Sequence, residues 1–157
     1  MNSDLKILEE YFRLNKLSLN IQKTNYVVFS PSAVSIRSLN VCINDKKISE
    51  VESIKYLGLY MDQHLKWGVH IQQIIKKIKP LVGVLFRLRS APIFVKKLIY
   101  FSLVHSHLTY LSEIWGAAAL CEIKPLQIFQ NKILKLVFNL PFLHNSVDLY
   151  TSNKCYL

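Results

Sequence analysis

Apolar residues change their spacing twice along this chain, from helical to strand-like and back, and each regime predicts its own elements. Leu5, Leu8 and Phe12, with Ile7 beside them, recur at helical spacing behind Ser3 and Asp4, either of which can cap a helix N-terminus. A helix over residues 3–14 follows. From Thr24 the pattern becomes the β-branched and aromatic run Tyr26-Val27-Val28-Phe29, closed by Ser30-Pro31, which predicts a strand over 24–30. Asn15 and Asn20 bracket the change of period, where residues tolerant of turn conformations belong. A second strand runs through Val41, Cys42 and Ile43 into the turn Asn44-Asp45-Lys46-Lys47 and returns through Ile48 and Val51. Residues 54–61, IKYLGLYM, read as a further strand whose lone Gly58 points to a bulge or to another backbone approaching closely.

After Asp62 the spacing is helical throughout. Trp67, Ile71, Ile74, Ile75, Ile78, Val82 and Leu85 share one face, and Lys76, Lys77 and Arg87 lie on the far side. Pro80 within this helix predicts a kink or a short break between Lys79 and Leu81. Ala91-Pro92 opens a second helix through Phe94, Leu98, Phe101, Val104 and Leu108 towards Leu111. A third begins near Pro125 and buries Leu126, Phe129, Ile133 and Leu136, leaving Lys132 and Lys135 to solvent. The predicted class is α+β: a small antiparallel β part with one N-terminal helix over residues 1–62, then a three-helix bundle over 67–140. A polar tail, 141–157, follows. No internal repeat or low-complexity tract occurs.

Composition narrows the partners. The chain has 157 residues, 51% of them hydrophobic, enough for one real core and against general disorder. Twenty Lys and Arg oppose ten Asp and Glu, a net +10 that favours polyanions, either nucleic acid or an anionic membrane. Cys42, Cys121 and Cys155 are odd in number and far apart, which supports neither a disulfide framework nor a zinc cluster and fits a reducing, intracellular setting, nuclear or cytoplasmic. The segment MNSDLKILEEYF lacks the basic leader and apolar run of a signal peptide, so secretion is not expected. The most apolar stretch, 98–120, carries His105, Ser106, His107, Thr109, Ser112 and Glu113. Such groups cost several kcal/mol in hydrocarbon, so this stretch reads as a buried helix, not a span.

Catalysis would need a constellation, and none is visible. No pair of aspartates sits at the end of an apolar strand, as a two-metal phosphoryl-transfer centre requires. His105 and His107 project about 200° apart on a helix, poor geometry for sharing a metal. Neither a nucleophile elbow nor a glycine-rich phosphate loop occurs, and the four glycines could hardly build one. These residues do not make a stand-alone enzyme. Lys76, Lys77, Lys79, Arg87 and Arg89 line one predicted helix, and Lys96 with Lys97 opens the next. They form either an ordinary solvated face or a phosphate-binding surface, and the overall charge favours phosphate.

Five blocks in order, NKLSLNIQKTNYVVF, IKYLGLYMDQHLKW, HIQQIIKKIKPLVGVLFRLR, LIYFSLVHSHLTYLSEIWG and LQIFQNKILKLVFNLP, resemble the C-terminal part of a non-LTR retrotransposon reverse transcriptase, LINE-type and jockey-like. The resemblance covers almost the whole chain. It implies that residues 1–62 are the end of a palm domain with a primer-grip-like hairpin and that 67–140 are a thumb-like domain. Lys23 falls on a palm lysine for which a role near the incoming nucleotide's phosphates, as general acid, is implied; the alternative is a surface lysine at a turn. Leu57 and Gly58 match the primer-grip turn, where a backbone without a side chain can approach the primer. Lys76, Lys77 and Arg87 would face an RNA–DNA or DNA template–primer duplex. Trp67 and Trp115 are expected in the packing of the helices.

The chain departs from the family in two respects. The fingers and the aspartate-bearing palm strands would lie before Met1, so polymerase activity is not expected from this chain alone, and Mg2+ belongs to the full-length family enzyme. Pro80 is the second departure. The functional expectation is a duplex-holding fragment of an RNA-directed DNA polymerase, a truncated product that partners the missing fingers and palm and self-associates through unpaired strand edges. Two alternatives stay open: a structural or interaction remnant without a nucleic-acid role, and a membrane-associated helical protein.

Overall fold

A computed structural model describes residues 2–31, 39–44 and 46–141; Asp45 of the expected turn, Cys155 and the rest of the expected tail after Pro141 lie outside the described residues. The chain divides into two compact units, Met1–Lys66 and Trp67–Leu157. The class is α+β.

In the first unit, α1 spans Asn2–Leu14. Val41, Ile43 and Ile48 are buried in a small core, and Leu5 of α1, Leu19 and Tyr26 pack on it. Glu9 of α1 accepts a hydrogen bond from the Asn44 N–H, which ties the helix to the turn beyond. The Tyr26 hydroxyl donates to the Leu39 carbonyl at 2.6 Å. This core is thin, because α1 turns much of its apolar surface outward.

The strands are shorter than the sequence predicts, and one pairing differs in direction. β1 is confined to Asn25–Tyr26 and pairs in parallel with β4, Ser49–Glu50. Val27 and Val28 are half-buried without joining a ladder. β2, Cys42–Ile43, and β3, Lys46–Lys47, form an antiparallel hairpin, so Lys46 and Lys47 belong to the returning strand and not to the turn. The single strand expected over 54–61 is two strands, β5 Ser53–Tyr56 and β6 Leu59–Asp62, paired antiparallel. Leu57 and Gly58 are the whole connection, and both have positive φ, 46° and 87°. Two residues with that backbone match the right-handed twist of a hairpin. Gly58 therefore makes a tight turn and not a bulge.

In the second unit, α2 spans Gly68–Arg87. Its inner face buries His70, Ile71, Ile74, Ile78 and Leu85. No break occurs at Pro80, which is exposed, so the Lys76 carbonyl deprived of its helical donor can turn to water. Gly68 at the start of α2 is a close approach: a Cβ there would lie 2.6 Å from a Glu122 carboxylate oxygen. Trp67 and Trp115 are buried, as the sequence predicts, and the Trp115 indole N–H donates to the Tyr110 carbonyl at 2.9 Å.

The second predicted helix is composite. α3, Ile93–Ile99, passes into a π-helical segment, Tyr100–His105, and then into α4, Ser106–Thr109. Leu111 has φ 50° and leads into the short α5, Ser112–Trp115. The buried residues are Lys96, Tyr100, Val104 and Leu108, each four residues from the last, whereas Phe94, Leu98 and Phe101 are exposed. A turn wider than 3.6 residues keeps positions four apart in line, and the expected apolar face gives way to this one. α6 spans Leu120–Val137, starting before the expected Pro125 and carrying that proline within it. It buries Leu126, Gln130, Ile133, Leu134 and Val137, while Phe129, Lys135 and Leu136 are only half-buried and Lys132 is exposed. Gln130 enters the core because its Nε2 donates to the buried Tyr100 hydroxyl.

Candidate nucleic-acid interface

α2 carries four cations, Lys76, Lys77, Lys79 and Arg87, and not one acidic residue. All four are exposed. Lys76 and Arg87 are eleven residues apart, which brings them within about 20° of one another around the axis and about 16 Å apart along it. Lys77 lies about 100° round from Lys76, on the flank nearer the core. Among the described residues no carboxylate forms an ion pair with Lys76, Lys77 or Arg87. The amphipathic sequence produces this row directly: the apolar positions bury one face against α6 and α4, and the lysines are left opposite.

Behind the row, His70 is 4% exposed between two indoles, its ring centroid 6.5 Å from Trp67 and 5.7 Å from Trp115. Burial lowers its pKa from the usual histidine value, and the positive charge of Lys77 lowers it further. The core thus keeps His70 neutral and leaves the positive charge to the outer face.

Two members of the expected basic cluster sit elsewhere. Arg89 lies beyond the helix, because α2 ends at Arg87 with Leu88 as its C-cap and the following Ala91-Pro92 resists helical continuation. Lys96 is wholly buried. Its ammonium donates to the Asn139 Oδ1 at 2.9 Å and to the Arg89 carbonyl at 3.3 Å, fastening the α2–α3 connection to the end of α6. No helical periodicity marks Lys96 as interior; the π-helical segment places it there.

The other expected residues occupy turns of the first unit. Lys23 ends a short 3-10 turn, Ile21–Lys23, that Asn20 caps by accepting the Lys23 N–H at 3.2 Å. Thr24 Oγ1 donates back to the Asn20 carbonyl at 2.9 Å. The Lys23 side chain is exposed. Leu57, 70% exposed, and Gly58 form the tip of the β5–β6 hairpin. So Lys76, Lys77 and Arg87 share one helix, while Lys23 and Leu57-Gly58 stand on separate loops.

No group of His, Cys, Asp and Glu among the described residues is placed to hold a metal ion, and no helix among them is long and apolar enough to cross a membrane. No family model matches the chain, and no solved structure matches it. Two curated proteins of Drosophila melanogaster do. The probable RNA-directed DNA polymerase from transposon BS is 24% identical over 145 residues, covering 86% of this chain and 16% of that protein. The probable RNA-directed DNA polymerase from transposon X-element is 26% identical over 132 residues, covering 82% of this chain and 14% of that protein. The chain thus spans about one sixth to one seventh of the length of these relatives. Its resemblance to the non-LTR transposon RNA-directed DNA polymerases, carried in the sequence by five ordered blocks, is thereby shown over more than four fifths of its residues.

Proposed function

We propose that this chain supplies the template–primer grip of a non-LTR retrotransposon reverse transcriptase and does not itself carry the metal-binding aspartates. The observation that carries the reading is the row of Lys76, Lys77 and Arg87 on a helix with no acidic residue, in a chain similar to transposon RNA-directed DNA polymerases. Cations on a rigid helix fix phosphates in space and read the shape of a duplex without reading its sequence. Lys79, on the same helix, adds to the field. Leu57-Gly58 approaches the primer strand as the grip turn, and Lys23 serves the incoming nucleotide's phosphates once the palm that bears the aspartates is present. Mg2+ enters with that palm.

Binding of an RNA–DNA duplex over a salt series tests the reading. Affinity should fall steeply as salt rises, and each of Lys76→Ala, Lys77→Ala and Arg87→Ala should lower the log–log slope by about 1. Salt-independent affinity, or a slope unchanged in the triple variant, would sink it. The same preparation should show no nucleotide incorporation.

A further inference from the structure

We propose that the cleft between the end of α2 and the end of α6 seats an unpaired nucleotide, its base stacked on Phe86 and its phosphate held by Arg89 and Lys135. This rests on the duplex-gripping reading and extends it to the single strand that continues past the paired region. The cleft has a volume of about 440 Å3, and Phe86, Leu136 and Leu140 give it apolar walls while Arg89 and Lys135 give it positive charge. Among the described residues no acidic one lines it. The occupant is therefore flat or apolar on one side and anionic on the other, which describes a nucleotide, and the volume lies within the range of ordinary ligand clefts.

Phe86 is 56% exposed, an aromatic ring left facing outward at the end of α2, and the Arg89 guanidinium stands 6.0 Å from its centroid. Every nucleobase offers a π face to such a ring, and an adjacent guanidinium adds cation–π attraction while reaching phosphate. The seat is held in shape from behind. Buried Lys96 bonds the Arg89 carbonyl and the Asn139 side chain together, and Asn139 takes φ 53° where the chain leaves α6. Phe86 lies about 20° round α2 from Lys79 and about 100° from Arg87, so the cleft opens on the flank of the basic face.

The test uses three probes with the full chain: a blunt RNA–DNA duplex, the same duplex with a single-stranded extension of about six nucleotides, and the extension strand alone, within the usual single-strand site size. The extension should tighten wild-type binding about 10-fold, and Phe86→Ala should remove that gain while leaving blunt-duplex affinity within about two-fold. Phe86→Leu, which keeps the apolar volume, should lose the gain too, and Arg89→Gln should reduce its salt dependence. No gain from the extension, or an equal gain in Phe86→Ala, would overturn the proposal and leave the duplex grip standing. Failure of the blunt duplex to bind, with the extension strand still bound through Phe86, would overturn the duplex grip and keep the seat. Displacement of the strand by an acidic peptide at equal concentration would overturn the seat in favour of a peptide site.

Discussion

The Gln130 amide of α6 donates a 3.0 Å hydrogen bond to the Tyr100 hydroxyl at the head of the π-helical segment, and neither side chain reaches solvent. The Gln130 Oε1 is buried without a partner. An unmade hydrogen bond in a core costs more than a made one contributes. Disturbing this amide should therefore destabilise the helical unit. Tyr100→Phe, which keeps the ring and strips the acceptor, should destabilise the unit by about 1–3 kcal/mol. Adding Gln130→Leu to that variant should recover part of the loss by removing the orphaned amide. Urea unfolding with unchanged m-value measures both, and a double variant less stable than Tyr100→Phe alone would contradict the account.

The β5–β6 turn makes a second prediction. Leu57 holds φ 46° and Gly58 φ 87°, a backbone for which Asn-Gly is the favoured pair. Leu57→Asn should stabilise the hairpin by up to about 1 kcal/mol, because a branched apolar side chain is strained at positive φ. Gly58→Ala should cost about 1–2 kcal/mol. If the exposed tip contacts the primer, Leu57→Asn will weaken duplex binding even as its melting temperature rises. A fall in melting temperature would show that Leu57 is anchored more firmly than its exposure indicates.

How much of this was legible in the sequence depends on the range of the interactions involved. The inner face of α2 and the opposite lysines follow from a period any window of the chain reveals, and the structure keeps both. The strands do not, because two-residue ladders such as Asn25–Tyr26 exist only by virtue of partners more than twenty residues away. The spacing around Gly58 leaves a bulge or a close backbone approach as the readings, because Leu at the first turn position hides the hairpin signal, and only the resemblance to a primer-grip turn points to a hairpin there. Lys96 and Gln130 were unreadable as interior residues: what buries them is the phase shift of the π-helical segment and a hydrogen bond across two helices. The cationic row was therefore visible from sequence, while the cleft beside it exists only where the ends of α2 and α6 meet in the folded unit.

His70 gives the helical unit a pH dependence. Burial first, and Lys77 second, hold its folded pKa below the usual histidine value of about 6.5. The unfolded chain then binds more protons than the folded one as pH falls below that value, so His70 contributes stability above about pH 6.5 that is progressively lost on acidification. Melting temperature should drop between pH 7.5 and 5. Lys77→Ala should shrink that drop by relieving the smaller of the two causes. NMR titration of the His70 ring checks the sign directly, and a folded pKa above 6.5 would refute it.

The outward face of α1 predicts association. Ile7, Tyr11 and Leu14 follow one another at helical spacing and are 69%, 56% and 71% exposed. A stripe of that kind on a thin core favours contact with another apolar surface. Sedimentation should show concentration-dependent self-association, and Ile7→Lys with Leu14→Lys should shift the chain towards monomer without loss of helix content. A wild-type chain that stays monomeric across the concentration range would remove this expectation.

Pro80 tests whether the proposed grip depends on the course of α2. α2 passes through it without interruption, so the Lys76 carbonyl lacks the N–H that residue 80 would otherwise donate. Pro80→Ala restores that bond at an exposed site and should stabilise the unit by about 1–3 kcal/mol, a rise of several degrees in melting temperature. Lys76 and Lys77 precede the proline and Arg87 follows it, so the helix axis across residue 80 sets how the two ends of the cationic row align with a phosphate backbone. A restored helical bond should change that alignment and weaken duplex binding while the fold gains stability. Opposite movement of melting temperature and affinity would mark Pro80 as a fitted part of the grip. Affinity unchanged in a more stable variant would mean that duplex binding does not depend on the direction of α2 across Pro80, and that the proline is only tolerated there.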